Sequence, residues 1–261
     1  LRTVTGVQTC ALPIFWRTTG INESITLPYE PSGTYSGTID WGDGTKTDNS
    51  YNNITHTYAN PGDYQIKIYG EVTGFKFYGS NQSSKIIEIL KWSKLKGLSN
   101  SNDNMFYGCV NLVLTGVTDT PDLVGITSLA SMFLNCYSLT TVKNMNNWNV
   151  SSVTNMSDMF FNATSFNQNI GSWIVSGVTN MNSMFQGASL FNQNIGGWDV
   201  SNVRNMKVMF EGAESFNQDI GGWNVSNVGN MAQMFYSATS FNQNIGSWDV
   251  SNVGNMFYMF A

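Results

Sequence analysis

The chain of 261 residues is 41% hydrophobic and 13% aromatic, ample for one or two packed domains and too apolar for a disordered one. Only 11% of residues are charged and the formal net charge is −5, which excludes the basic stripe that a nucleic-acid partner needs to neutralise phosphates. No run of about 18 or more apolar residues occurs, so no transmembrane segment is expected.

At the N-terminus, Val4 to Ile14 read Val-Thr-Gly-Val-Gln-Thr-Cys-Ala-Leu-Pro-Ile. The stretch resembles a translated sequencing adapter, whose DNA encodes it without mismatch. That resemblance sets residues 1–16 aside as adapter-derived and disordered, and drops Cys10 from the cysteine count. The apolar Leu12 and Ile14 leave one alternative, a true β-strand. All thirteen methionines lie at Met105 or later, so the chain reads as a piece of a longer protein.

Residues 17–79 alternate apolar and polar positions between turn signals, the pattern of a β-sandwich. Ser24 to Leu27, Gly37 to Trp41 and Tyr64 to Tyr69 read as strands. Asp40-Trp41-Gly42-Asp43-Gly44, then His56-Thr57-Tyr58, then Pro61-Gly62-Asp63-Tyr64 together resemble the polycystic-kidney-disease (PKD) type of immunoglobulin-like domain. The resemblance implies a spacer or weak binding module. Asp40 and Asp43 are carboxylates of the type calcium takes, but the turn lacks the further oxygens of a full shell, and a plain hairpin turn is expected. His56, the one histidine, is expected to be structural, since no nucleophile stands near it in sequence.

Gly79 to Ser84 reads as a linker, with the boundary at residues 80–84 and a repeat array over 85–261. Ile86 to Trp92 reads as the strand that opens and caps the array. Lys85, Lys91, Lys94 and Lys96 cluster there, most simply keeping an exposed end soluble, or else forming a patch for an acidic glycan. Cys109 and Cys136 share one slot of the repeat, filled by Ala163, Ala188, Ala213 and Ala238 later on. Buried thiols are expected there, and stacking would also put the pair within reach of a disulfide.

The array itself has a period of 25 residues. Tryptophan recurs at Trp148, Trp173, Trp198, Trp223 and Trp248, and a Met-Phe pair at Met159, Met184, Met209, Met234 and Met259; two earlier pairs at Met105 and Met132 are spaced by 27. Such periodicity signals coils that bury their apolar sides only by stacking. About seven coils at ~4.8 Å per rung would span about 34 Å. Val203, Met206, Met209 and Phe210 predict one face of a short helix, and Phe216 to Ile220 a strand of a parallel sheet. The fold expected is thus a β-sandwich followed by an α/β leucine-rich-repeat-like solenoid with short parallel strands and short helices. Recurrent Asn and Gln are expected to bond their copies above and below, or to satisfy a turning backbone.

Phe-Asn-Gln-Asn-Ile-Gly-Ser-Trp-Asp-Val-Ser-Asn-Val, at Phe241 to Val253, resembles the 25-residue bacterial surface-protein repeat, a relative of BspA-like leucine-rich repeats. The resemblance implies a secreted or cell-surface protein engaged in adhesion, with no catalytic residues, and the array is read as cut within a coil at Ala261. No cofactor or metal is expected, and no enzyme, because one histidine and the Glu211/Glu214 pair make no catalytic constellation. The expected function is a non-enzymatic, extracellular or cell-surface array that binds a protein or glycan ligand. The alternative is a polysaccharide-binding accessory region of a larger secreted enzyme. Tyr236, Phe257, Tyr258 and Lys207 are the candidate ligand-binding residues, because their slots vary from coil to coil while the core slots do not.

Overall fold

A computed structural model describes residues 11–92, 95–97 and 101–261. Residues 1–10, which hold Cys10 and most of the adapter-like stretch, lie outside the described residues, as does Lys94.

Eight strands form in the N-terminal part: β1 (Leu12–Thr18), β2 (Glu23–Thr26), β3 (Tyr35–Asp40), β4 (Lys46–Asp48), β5 (Thr55–Tyr58), β6 (Gly62–Thr73), β7 (Ile86–Ile89) and β8 (Leu95–Lys96). One sheet runs β4-β3-β6-β1-β7 with β8 beside β6, and β2 pairs with β5 in a second. All pairs are antiparallel except β6 with β8. Gly37 and Gly70 face each other across β3 and β6 at φ +98° and +105°, where a Cβ on either would stand 2.1 Å from a backbone oxygen of the other strand. Only glycine allows that approach.

The disorder expected for residues 1–16 is corrected from Leu12 onward. β1 lies inside the sheet between β6 and β7, and Leu12, Ile14 and Trp16 are buried. Period-2 alternation in this stretch outweighs the adapter resemblance as a guide to its structure.

The expected α/β solenoid is also corrected. Among the described residues there is no α-helix, only 3₁₀ turns at Tyr51–Asn53 and Met145–Asn147, and no strand forms at 216–220. Each coil is instead a chain of tight turns. Val153 N–H donates to Val150 O, Met159 to Met156, Ala163 to Phe160, Phe166 to Ala163 and Trp173 to Ile170, all i→i−3 bonds between inward-facing residues. The intervening N–H groups point along the stack: Met156, Asp158, Phe160 and Asn162 donate to Asn180, Asn182, Met184 and Gln186 of the next coil. Asp158 and Asn162 adopt φ +56° and +54°, and Ser183, Val208, Gln233 and Tyr258 repeat the first of these corners. A right-handed helix cannot pass through such corners. Nor could helices stack here, since they need about 8–10 Å between axes, whereas phenylalanines of successive coils lie 5.5–5.8 Å apart.

The coils stack in register. Parallel bridges link Ser128, Asn155, Asn180, Asn205, Asn230 and Asn255 in turn. Two phenylalanine columns run through the core, Phe106 to Phe235 and Phe166 to Phe241, joined within coils at about 4 Å, as between Phe185 and Phe191. Trp148, Trp173, Trp198, Trp223 and Trp248 are buried in a third column. Each large side chain so buried contributes roughly 1.5–3 kcal/mol, so every coil depends on its neighbours. Cys109 and Cys136 are buried free thiols in adjacent coils, Cys136 Sγ donating to Phe106 O at 3.1 Å.

Candidate functional site

The polar repeats divide into those that turn the chain and those that tie coils together. Asn155, Asn180, Asn205, Asn230 and Asn255 each accept from the N–H two residues on, closing a turn within the coil. Asn167, Asn192 and Asn217 instead each accept from the next coil, at 2.9–3.0 Å from a backbone N–H and 2.8–2.9 Å from a glutamine side chain. With backbone and amides thus occupied, what differs between coils is carried by outward side chains on a rigid frame.

The pair before each Met-Phe runs Ser157-Asp158, Asn182-Ser183, Lys207-Val208, Ala232-Gln233 and Phe257-Tyr258, of which Ser183, Val208 and Ala232 are buried and the others at least partly exposed. Three of the four residues singled out from sequence come together: Phe257 and Tyr258 rings lie 4.1 Å apart, and Tyr236 meets Tyr258 edge-on at 6.5 Å. Phe257 and Tyr258 are 63% and 57% exposed. Lys207 does not join them. It stands two rungs away in the same column, exposed, beside Glu211. Partial burial raises the Glu211 carboxyl above its ordinary range, against a hydrogen bond from Gln186 and the charge of Lys207. Burial likewise raises Asp158, opposed by hydrogen bonds from Ser183 and Ser157.

Two members of the lysine cluster are engaged within the protein. Lys85 donates to Ser24 O and pairs with Glu23 at 2.9 Å, and Lys96 pairs with Asp122 at 2.8 Å, so these two serve junction contacts.

Asp40 and Asp43 have partners within the protein. Asp40 pairs with Lys46 at 3.0 Å, and Asp43 accepts from Thr45 at 2.6 Å and meets His56 Nε2 at 2.7 Å. Burial opposes ionisation of Asp43, but the Thr45 and His56 hydrogen bonds overcome it and hold the carboxyl at about 2. His56 stacks on Trp41 at 5.0 Å, so the pair clasps the β3–β4 hairpin of one sheet to β5 of the other. Nothing in sequence adjacency announced this Asp–His pair, because 13 residues separate its members. Among the described residues, no group of three or more His, Cys, Asp or Glu could hold a metal ion.

Sequence reasoning also missed a rung. Phe77-Tyr78-Gly79 repeats Phe106-Tyr107-Gly108, and its hydrogen bonds repeat too. Phe77 N–H donates to Met105 O and Gly79 N–H to Tyr107 O, as Phe106 and Gly108 donate to Met132 and Leu134; Ser80 N–H returns to Phe77 O as Cys109 does to Phe106. Residues 77–83, which the sequence reading divides between the end of the 17–79 sandwich and the 80–84 linker, therefore form the first rung. The shared Phe-Tyr-Gly was the available signal.

A family model described as "Mycoplasma protein of unknown function, DUF285" matches residues 100–198 and again residues 170–261. No curated protein and no solved structure matches the chain. Among the described residues, no helix is long and apolar enough to cross a membrane.

Proposed function

We propose that this chain, which belongs to the DUF285 family, is part of a non-enzymatic cell-surface protein whose stacked coils present a binding face to a protein ligand. One observation carries the reading: the Met, Phe and Trp core slots repeat through the 25-residue coils, while the pair before Met-Phe, partly exposed in each coil, changes charge, size and aromaticity on a backbone locked by inter-coil hydrogen bonds. A rigid frame with varied side chains loses little entropy on binding. The resemblance to BspA-like surface repeats, with a PKD-type domain ahead of them, supports export and adhesion. Tyr236, Phe257 and Tyr258 form the aromatic centre of the contact, the residue types that dominate binding energy elsewhere, and Lys207 supplies a charge at its edge.

The test is retention of purified matrix and serum proteins on the immobilised whole chain. A retained ligand released by Tyr258→Ala and weakened by Lys207→Ala supports the reading. Retention of none of them, or retention indifferent to both substitutions, removes it.

A further inference from the structure

The first rungs carry a second surface. Directly after the core phenylalanines, one outward column runs Tyr78, Tyr107, Leu134, Phe161, Gln186, Glu211 and Tyr236. Its register is set by backbone bonds, since each of Tyr107, Leu134, Phe161, Gln186, Glu211 and Tyr236 accepts at its carbonyl from the preceding rung. Over the first four rungs the column is aromatic or aliphatic; it is polar at Gln186, acidic at Glu211 and aromatic again at Tyr236. Tyr78 is 69% exposed, meets Tyr107 edge-on at 6.4 Å, and has Lys76 Nζ 5.4 Å from its ring centre. At the next outward corner stand Asn81, Val110 and Tyr137, the last 43% exposed. A cavity of about 380 Å³ opens beside the first rung, with Leu27, Pro28 and Phe77 on its apolar side and Asn81 and Gln82 on its polar side.

We propose that this aromatic face binds an extended, neutral polysaccharide lying along the stack. The proposal rests on the reading of the chain as a binding protein but not on the Tyr236–Tyr258 site. Two observations favour a neutral glycan. The face offers exposed tyrosine rings flanked by side-chain amides, which suit the apolar faces and hydroxyl rims of pyranose rings. Among the described residues of this face the cation is Lys76, which stands 3.9 Å from the Glu30 carboxylate, so the pair offers no net charge with which to select an ionic ligand.

The experiment is native gel electrophoresis of the whole chain through hydroxyethyl cellulose, glucomannan and xylan, with Tyr78→Ala, Tyr137→Ala, Tyr78→Phe and Leu190→Ser variants checked for an unchanged melting midpoint. The expected result is retardation by at least one polymer that persists from about 50 to about 500 mM salt. Affinity should fall about tenfold or more in either Tyr→Ala variant and be kept in Tyr78→Phe and Leu190→Ser. No retardation by any polymer, retardation abolished by salt, retardation indifferent to both Tyr→Ala changes, or occupation of these tyrosines by a protein ligand instead would overturn the proposal. Because the assay uses other ligands and other rungs than the protein-retention test, failure of either leaves the other readable.

Discussion

The indole N–H of Trp198 donates to the main-chain oxygen of Ile170, 28 residues upstream, at 3.2 Å. Trp173, Trp223 and Trp248 make the same bond to Met145, Ile195 and Ile220. Each tryptophan thus fills the core of its own coil and satisfies a buried carbonyl of the one before. Trp148 Nε1, at the start of the column, is buried without a partner.

That contrast predicts unequal costs for one substitution. Trp198→Phe removes one of two bonds to the Ile170 carbonyl, which keeps the one from Trp173 N–H, whereas Trp148→Phe removes a donor that has no acceptor. Urea unfolding should show the Trp198→Phe loss exceeding the Trp148→Phe loss by about 0.5–1.5 kcal/mol. Equal losses would mean the indole bond contributes nothing.

Gln233 occupies a left-handed corner at φ +55°. Asn adopts that conformation readily, whereas a β-branched residue does so only at a cost, as Val208 does at φ +51° in the preceding coil. Gln233→Asn should therefore raise the urea midpoint slightly, and Gln233→Val should lower stability by about 1–2 kcal/mol. A Val variant as stable as the parent would refute the corner geometry.

Ser83 sits in the first rung where Leu112 and Leu139 fill later ones: its N–H returns to Ser80 O as that of Leu112 does to Cys109 O. Its hydroxyl is buried without a hydrogen-bond partner. Ser83→Ala should stabilise the chain by about 1–3 kcal/mol, seen as a higher thermal midpoint. A lower midpoint would show that the hydroxyl is satisfied.

The Asp43 carboxyl lies below its ordinary value of 3.8, at about 2. A depressed carboxyl contributes stability that is fully present above the unfolded value and lost as pH falls through the folded one. The stability difference between the parent and Asp43→Asn should hold constant from about pH 7 to about pH 5 and shrink as pH falls from about 4 to about 2. A difference independent of pH across that acid range would show that the clasp to His56 and Thr45 does not form.

The corrections share a cause. Apolar residues at Val203, Met206 and Met209 fit an α-helix and a chain of i→i−3 turns equally well, since both place every third residue on one side. What separates them is where the intervening N–H groups go, and those of Met206 and Val208 go to Asn230 and Ala232 in another coil. A spacing of three carries no record of partners 24 residues away. The candidate aromatic group was legible as variation in an otherwise fixed phrase, while the first rung was concealed by its one copy of Phe-Tyr-Gly lying among strands.

By itself, the sequence determined the period, the set of side chains that face inward and the register in which they stack, because burying a phenylalanine or tryptophan every coil leaves no other arrangement of like residues. The tertiary structure alone decided the backbone that joins them. It placed left-handed corners at Asp158, Val208 and Gln233, drew Leu12–Thr18 into the sheet, and made Phe77 the base of the stack. Hydrophobic burial is nondirectional and can be read from composition along the chain, whereas hydrogen bonds are directional and choose their geometry only when the neighbouring coil is in place.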